Sequence, residues 1–398
     1  MQSGADGKPN RYAVVSVLGL GQILAWGSTF YLLAVLAPAI VRDTGWAYDQ
    51  VISGVSVGLL TAGIVSPRFG RAIGEHGGRS VLALGSVLIG TGLVVLATAQ
   101  NLPWYMAAWL LIGAGMGAGL YDAAFATLAS IYGRDSRSAI TSVTLFGGFA
   151  STVCWPMSAV FTAHLGWRGA CLSYAAVHLG VALPAYWMTL PRRSFLAASS
   201  HPAAPGLRLA RQEIWLFALL AAVVTIAAAI LSMMGNLVLQ LLQARGMELA
   251  AAVAIGALIG PSAVGARVVE SFAGHRYHPI WTMIGSAILV AAGTLLFLLR
   301  FPFVGVAIVL YAAGNGIGSI ARGTLPLALF GPARYPTLMG RLGLPIMMAM
   351  AAAPFGGALT FQVGGADWTL GMLAALALVN AVLVALLWQL SRRLGSHS

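Results

Sequence analysis

The sequence has 398 residues, of which 59% are hydrophobic and 8% charged, with a mean hydropathy of +0.87. A soluble domain carries about 25% charged residues, so this composition excludes a water-solvated globule and leaves lipid as the main solvent. The net charge of +12 comes without a nucleic-acid-binding motif, and no nucleic acid is expected as a partner.

A helix needs about 20 apolar residues to cross a bilayer. Twelve segments qualify: 13–40, 48–70, 80–99, 103–132, 138–163, 168–190, 212–243, 247–271, 279–300, 302–330, 336–362 and 367–391. The first is too long for a cleaved signal peptide and is read as a retained span. Inside hydrocarbon a helix satisfies its own backbone polar groups, so every segment is expected to be helical.

Span 1 carries Gln22, Trp26 and Phe30 at i, i+4 and i+8, on one helix face. That stripe suits a cavity wall with a polar handle, or packing against lipid and neighbouring helices. Tyr31 lies on an adjacent face. Span 2 ends in "SPRFGRAIGEHGGR", which places Arg71, Glu75 and Arg79 at a helix end. Span 4 contains "GAGMGAGLYDAAFATLASIYG", whose lone charged residue is Asp122, next to Tyr121. Counted from Trp104 at 1.5 Å per residue, Asp122 lies about 6 Å to the cytoplasmic side of the span's middle. A charge at such depth costs at least about 2.5–3.5 kcal/mol, so it is expected to face the bundle interior and to pair.

Arg137 opens span 5, and span 6 contains His178, readable as a satisfied core histidine or as a proton relay. Cys154 and Cys171 fall inside apolar segments without metal-ligand spacing and are read as small buried hydrophobes. The stretch 191–211, "PRRSFLAASSHPAAPGLRLAR", is the one sizeable interior linker. It separates an expected six-helix bundle at 1–190 from another at 212–398. Span 7 carries Asn236, Gln240 and Gln243 at helical spacing, and span 8 ends with Arg267 and Glu270. Span 10 holds Gly314, Asn315, Gly316 and Gly318, then Arg322. Met347, Met348 and Met350 in span 11 read as adaptable packing rather than a soft-metal site. No metal and no cofactor is expected.

Placing the N-terminus in the cytoplasm leaves only Arg42, Arg168, Arg245 and Arg300 in outer loops, with Arg322 inside a span. This is the positive-inside asymmetry, and it puts both termini in the cytoplasm of a bacterial-type inner membrane. The halves also echo each other. Gly115, Gly117 and Gly119 precede Asp122 in span 4, as Gly314, Gly316 and Gly318 precede Arg322 in span 10. Small residues at this spacing let helices approach closely. Duplicated halves with a site between them near mid-membrane are the build of many secondary transporters.

Twelve spans, a central basic loop and "GRAIGEHGGR" after span 2 resemble the major facilitator superfamily. Its loop signature is G-x-x-x-D-R-x-G-R-R; Gly70, Gly77 and Arg79 match, and the acid is displaced to Glu75. "GWAYDQVISGVSVGLLTAGIVSPRFGR" and "GWRGACLSYA" most resemble the monocarboxylate-transporter-like branch. The proton-driven drug exporters of the superfamily carry an Arg early in span 4 and a G-P-x-x-G-G run in span 5. Here "WYMAAWLLIGAG" and "FGGFASTVCWPMSAV" have neither.

The resemblance implies an all-α membrane fold of two pseudo-symmetric six-helix halves, with spans 1, 4, 7 and 10 lining a central cavity. It implies a monomeric secondary transporter that exchanges between two accessible states. On this reading Arg322 binds the carboxylate of a small organic anion, since its planar fork stays charged and matches a carboxylate bidentately. Asp122 balances Arg322 or carries a coupled proton. Gln22, Trp26, Tyr31, Tyr121, Asn236 and Asn315 orient the substrate. Arg71, Glu75, Arg79, Arg137, Arg267 and Glu270 gate the cytoplasmic side. A fixed Asp122–Arg322 ion pair that only holds the halves together is the other reading of that pair. An exporter of an amphipathic drug or toxic metalloid compound is the alternative function. No nucleophile–base pair, metal motif or phosphate loop appears, so an enzyme is not expected.

Overall fold

The computed structural model describes residues 10–192, 210–273 and 276–395. Most of the expected 191–211 linker therefore lies outside the described residues. Among those described, every regular element is helical and no strand occurs. Among the described residues, nine helical stretches are long and apolar enough to cross a membrane. Two of them hold several expected spans each: Leu102–Thr189 covers spans 4 to 6, and Tyr335–Arg393 covers spans 11 and 12. The nine stretches thus accommodate all twelve segments.

Packing divides the chain into two compact units, Met1–Pro205 with Phe330–Met347, and Gly206–Leu329 with Met348–Ser398. Residues 330–347, placed by the sequence in the second half, pack with the first unit.

In the first unit, span 1 is two helices rather than one: α1 (Arg11–Gly27) and α2 (Leu32–Thr44). Asn10 caps α1 by accepting from the Tyr12 amide, and α2 ends at Gly45, whose φ of 71° suits glycine. Spans 2 and 3 are continuous, as α3 (Tyr48–His76) and α4 (Gly78–Ala97). Span 4 is again divided, into α5 (Leu102–Gly119) and α6 (Tyr121–Tyr132), with Leu120 extended between them. Spans 5 and 6 are α7 (Ser136–Gly148), α8 (Ala150–Val177), a π-turn at His178–Ala182 and α9 (Leu183–Thr189). Within α8 the chain turns at Gly166, whose φ of 70° suits glycine.

The second unit contains α10 (Arg211–Ala244), α11 (Leu249–Gly256), α12 (Ile259–Ala273), α13 (Pro279–Leu298) and α14 (Val304–Phe330). Helix α15 (Tyr335–Gly395) begins in the first unit and continues into the second, with a turn at Gly365, φ 70°. The core of the second unit gathers Met233, Met234, Leu241, Tyr311 and Leu373, all buried.

Each unit closes one end with an ion pair, at Gly166 in the first and at Gly365 in the second, and the signs are exchanged. In the first, Asp43 near the end of span 1 accepts from Arg168 and, at 3.0 Å, from the Trp167 indole, both just after Gly166. In the second, Asp367, just after Gly365, bridges Arg245 at the end of span 7 and Arg300, each at 3.0 Å.

Glycines set the closest helix crossings. A Cβ on Gly340 would lie 2.7 Å from the Ser66 carbonyl oxygen and 2.9 Å from Gly70 Cα. The first turns of α15 therefore lie directly on α3, within the first unit.

Candidate functional site

Spans 1, 4 and 5 of the first unit are interrupted, span 5 at Phe149, and the breaks in spans 1 and 4 are the two that carry the candidate site. A break exposes backbone groups that a continuous helix would satisfy, and hydrocarbon cannot satisfy them. At residues 28–31 the replacements are local. Ser28 Oγ donates to the Leu24 carbonyl at 2.8 Å, Thr29 Oγ1 to that of Ala25 at 2.5 Å, and the Tyr31 amide to that of Trp26 at 3.0 Å. Ser28 Oγ also meets His178 Nε2 at 2.8 Å, and His178 begins the π-turn of span 6. Single π-turns recur where a helix must re-aim a functional side chain. Here the turn brings a wholly buried imidazole to the break.

At Leu120 the replacement comes from another helix. Gln22 Nε2 donates to the Gly119 carbonyl at 2.8 Å, and Gln22 is completely buried. The amide expected to orient substrate is thus engaged with backbone, and it ties span 1 to the end of α5. The Gln22 Oε1 atom, also buried, makes no hydrogen bond among the described residues.

The breaks place an aromatic cluster at mid-depth. Trp26 and Tyr31 bracket the middle of the 34-residue stretch Arg11–Thr44. The Trp26 ring lies 5.6 Å from Phe30, edge to face, 5.3 Å from Tyr121 and 6.4 Å from Tyr31. Tyr31 meets Phe30 at 5.1 Å and Trp155 at 6.1 Å, both edge to face, while Tyr121 stacks on Phe125 at 5.1 Å. These separations and tilts are those aromatic rings prefer. Phe125 is fully buried, Phe30, Tyr31 and Tyr121 are half-buried, and Trp155 is exposed. A depression of about 500 Å³ adjoins Trp155, lined by Ala34, Val35, Ser151, Thr152 and Pro156 among others. The Tyr121 hydroxyl fits against Gly147, where any Cβ would collide with it.

Asp122 follows Tyr121 in the first turn of α6 and is buried, 5% exposed. The partial positive charge of a helix start favours a carboxylate there. Ser66, Phe69, Gly70, Gly117 and Gly340 line the narrow gap around it. A Cβ on Gly343 would collide with Ser66 Oγ and lie 3.2 Å from Asp122 Oδ2. The start of α15 therefore seals the acid from one side.

In the second unit, Arg322 and Asn315 are partly buried on α14. Asn236 is exposed and donates to the Ser232 carbonyl of its own helix at 2.7 Å. Of the residues expected at the gate, Arg71 and Glu75 are exposed at the end of α3, and Glu75 approaches His76 at 3.9 Å. Arg79 lies over the Trp187 ring at 4.4 Å, and Arg137 is half-buried on α7. Arg267 and Glu270 are buried, 8% and 7% exposed. Arg267 Nε donates to the Gly316 carbonyl at 3.2 Å, and Glu270 accepts from Tyr277 and, at 2.6 Å, from Thr282. A buried charge needs this kind of hydrogen-bonded shell. Sequence reading missed Ser28, Ser66 and Trp155 as members of the site. Their signals were small: a hydroxyl in an apolar run, or one aromatic among many.

No group of three or more His, Cys, Asp or Glu side chains able to hold a metal occurs among the described residues.

Comparison with known proteins adds four relations. The family described as "Major Facilitator Superfamily" matches residues 18–280. The gentisate transporter of Corynebacterium glutamicum is 25% identical over 360 residues, covering 85% of this chain and 78% of that protein. Among solved structures, the human organic anion transporter MFSD10 (TETRAN) superposes with a TM-score of 0.75 at 18% identity. That match covers 95% of this chain and 100% of the other. The proton:xylose symporter XylE superposes with a TM-score of 0.70 at 12% identity, over 94% of each chain.

Proposed function

The chain belongs to the major facilitator superfamily, and from that premise we propose that it moves a small organic anion, a monocarboxylate, across the inner membrane together with a proton. The observation that carries this reading is the pair of broken spans with Asp122 buried beside them. Helix breaks near mid-membrane are where transporters of this build hold substrate and coupling ion. A buried carboxylate at the start of a half-helix is suited to exchange a proton as its surroundings open and close. The names of the gentisate transporter and of the organic anion transporter support an anionic cargo.

In this reading Arg322 receives the carboxylate and Asp122 carries the proton. Residues 1–190 and 212–398 rock against each other as the two moving bodies, and the protein works as a monomer with both termini in the cytoplasm. Tyr31, Tyr121, Trp26, Asn236 and Asn315 contribute to the substrate's surroundings, and Gln22 supports the break in span 4. Arg71, Glu75, Arg79, Arg137, Arg267 and Glu270 act at the cytoplasmic gate.

Uptake into proteoliposomes under an imposed pH gradient tests the reading. Organic acids are expected to accumulate when the gradient is present and to equilibrate when it is collapsed. If Arg322→Ala transports them as well as the unaltered protein, the anion role of Arg322 is wrong.

A further inference from the structure

We propose that Trp26, Phe30, Tyr31, Tyr121 and Trp155 form a ring-binding subsite that takes the aromatic ring of a benzoate-type acid. The proposal rests on the organic-anion reading above and narrows it to acids with a flat π-face.

Depth is the first argument. Membrane proteins concentrate Trp and Tyr at the two water interfaces, where the ring is wet at one end. This cluster flanks the middle of Arg11–Thr44 instead. Lipid at that depth offers no partner for a phenol or an indole N–H, so polar-tipped rings there belong to a protein-lined space.

Backbone is the second argument. Non-helical backbone at membrane depth is tolerated where it is buried in protein or lines a cavity. Residues 28–31 and Leu120 are both non-helical; Tyr31 is the last residue of the first break and Tyr121 directly follows the second. The two discontinuities therefore deliver two tyrosines to one tryptophan.

The third argument is incomplete closure. A cluster that served only as core would be covered, as Phe125 is. Phe30, Tyr31 and Tyr121 keep part of their surface open, and Trp155 is 45% exposed beside the depression. The contact between Trp26 and Phe30 is edge to face and not a stack, so these rings present faces as well as edges. A further ring fits such faces at offset-stacked or T-shaped geometry.

The fourth argument is a polar atom without a partner. Trp26 is 8% exposed, and its Nε1–H makes no hydrogen bond among the described residues. A buried donor left unmet is costly, and this one sits where three other rings converge. An oxygen on the bound acid would satisfy it. Aliphatic acids of equal size would fill the space but would gain nothing from the ring faces.

The test compares benzoate with cyclohexanecarboxylate, which share the carboxylate and the six-membered ring but differ in the π-face. Radiolabelled benzoate binding to the full-length protein in lipid nanodiscs is measured, with each acid as competitor. Two ring contacts predict that benzoate competes about tenfold better. Trp155→Leu and Trp26→Leu should bring the two acids to near parity while cyclohexanecarboxylate still binds. Trp26→Phe should keep most of the preference, and Trp281→Leu, an exposed ring of the second unit, all of it. Should Trp26→Leu fail to elute as a single species, the half-exposed Trp155 carries the comparison. Equal binding by the unaltered protein, or a preference that survives both leucine variants, overturns the subsite and leaves the anion reading standing. Binding of neither acid overturns the anion reading and the subsite with it.

Discussion

The side-chain amide of Gln22 donates to the backbone carbonyl of Gly119 at 2.8 Å, joining the middle of span 1 to the break in span 4. A single glutamine in an apolar helix thereby serves a backbone defect in a different helix. Gln22→Leu should destabilise the protein by about 1–3 kcal/mol, because the freed carbonyl has no water to replace the donor. Thermal unfolding in detergent measures this, and a variant as stable as the original would remove the support role.

Asp122→Asn keeps shape and hydrogen-bonding capacity but cannot exchange a proton. The variant should fold normally. Its uptake under a pH gradient should fall to the level seen without one, while exchange of internal for external substrate persists. Gradient-driven accumulation by the asparagine variant would assign proton coupling elsewhere.

The contact between Gly147 and the Tyr121 hydroxyl predicts a compensating pair. Gly147→Ala should cost about 1–3 kcal/mol through overcrowding. Tyr121→Phe removes the nearest atom in the way, although the ring edge stays at 2.8 Å, so the double variant should be more stable than the sum of the single effects. Strict additivity would mean that the ring moves aside freely.

The ion pairs at the Gly166 and Gly365 turns should respond unequally. Asp43 and Arg168 are each nearly half exposed, 47% and 41%, so Asp43→Ala should cost about 1 kcal/mol or less, and less again in high salt, where only the bond from the Trp167 indole persists. Arg245 is only 11% exposed, and Asp367→Ala leaves its charge buried, at a cost of about 2 kcal/mol after allowing for the exposure of Asp367. Unfolding temperatures in low and high salt separate the two, and equal losses would contradict the burial argument.

Hydropathy made the spans legible, because crossing a membrane demands long apolar runs whatever the details of packing. It did not reveal the breaks at 28–31 and at Leu120, since Ser28 and Thr29 are too small to lower the hydropathy of the first span and Leu120 is itself apolar. The trace of the second break was Gln22, a donor with no evident partner, together with "GAGMGAG" ahead of Leu120. Arg267 and Glu270 were legible as charges but not as buried ones. Their partners Gly316, Tyr277 and Thr282 are distant along the chain or unremarkable in it. Asp122 was legible as a buried acid because insertion energetics forbid an idle charge at that depth.

The exchanged signs of the ion pairs at Gly166 and Gly365 bear on how a duplicated chain avoids assembling with itself wrongly. Two similar bundles made in succession offer each new helix two look-alike docking places. Set span 1 against the turn at Gly365, and Asp43 would face Asp367. Set span 7 against the turn at Gly166, and Arg245 would face Arg168. Each mispairing brings like charges together, whereas each native pairing joins opposites, so the inversion disfavours the swapped pairings. Grafting a single helix from one half to the other would defeat this recognition, but exchanging a whole half would carry both members of its pair along.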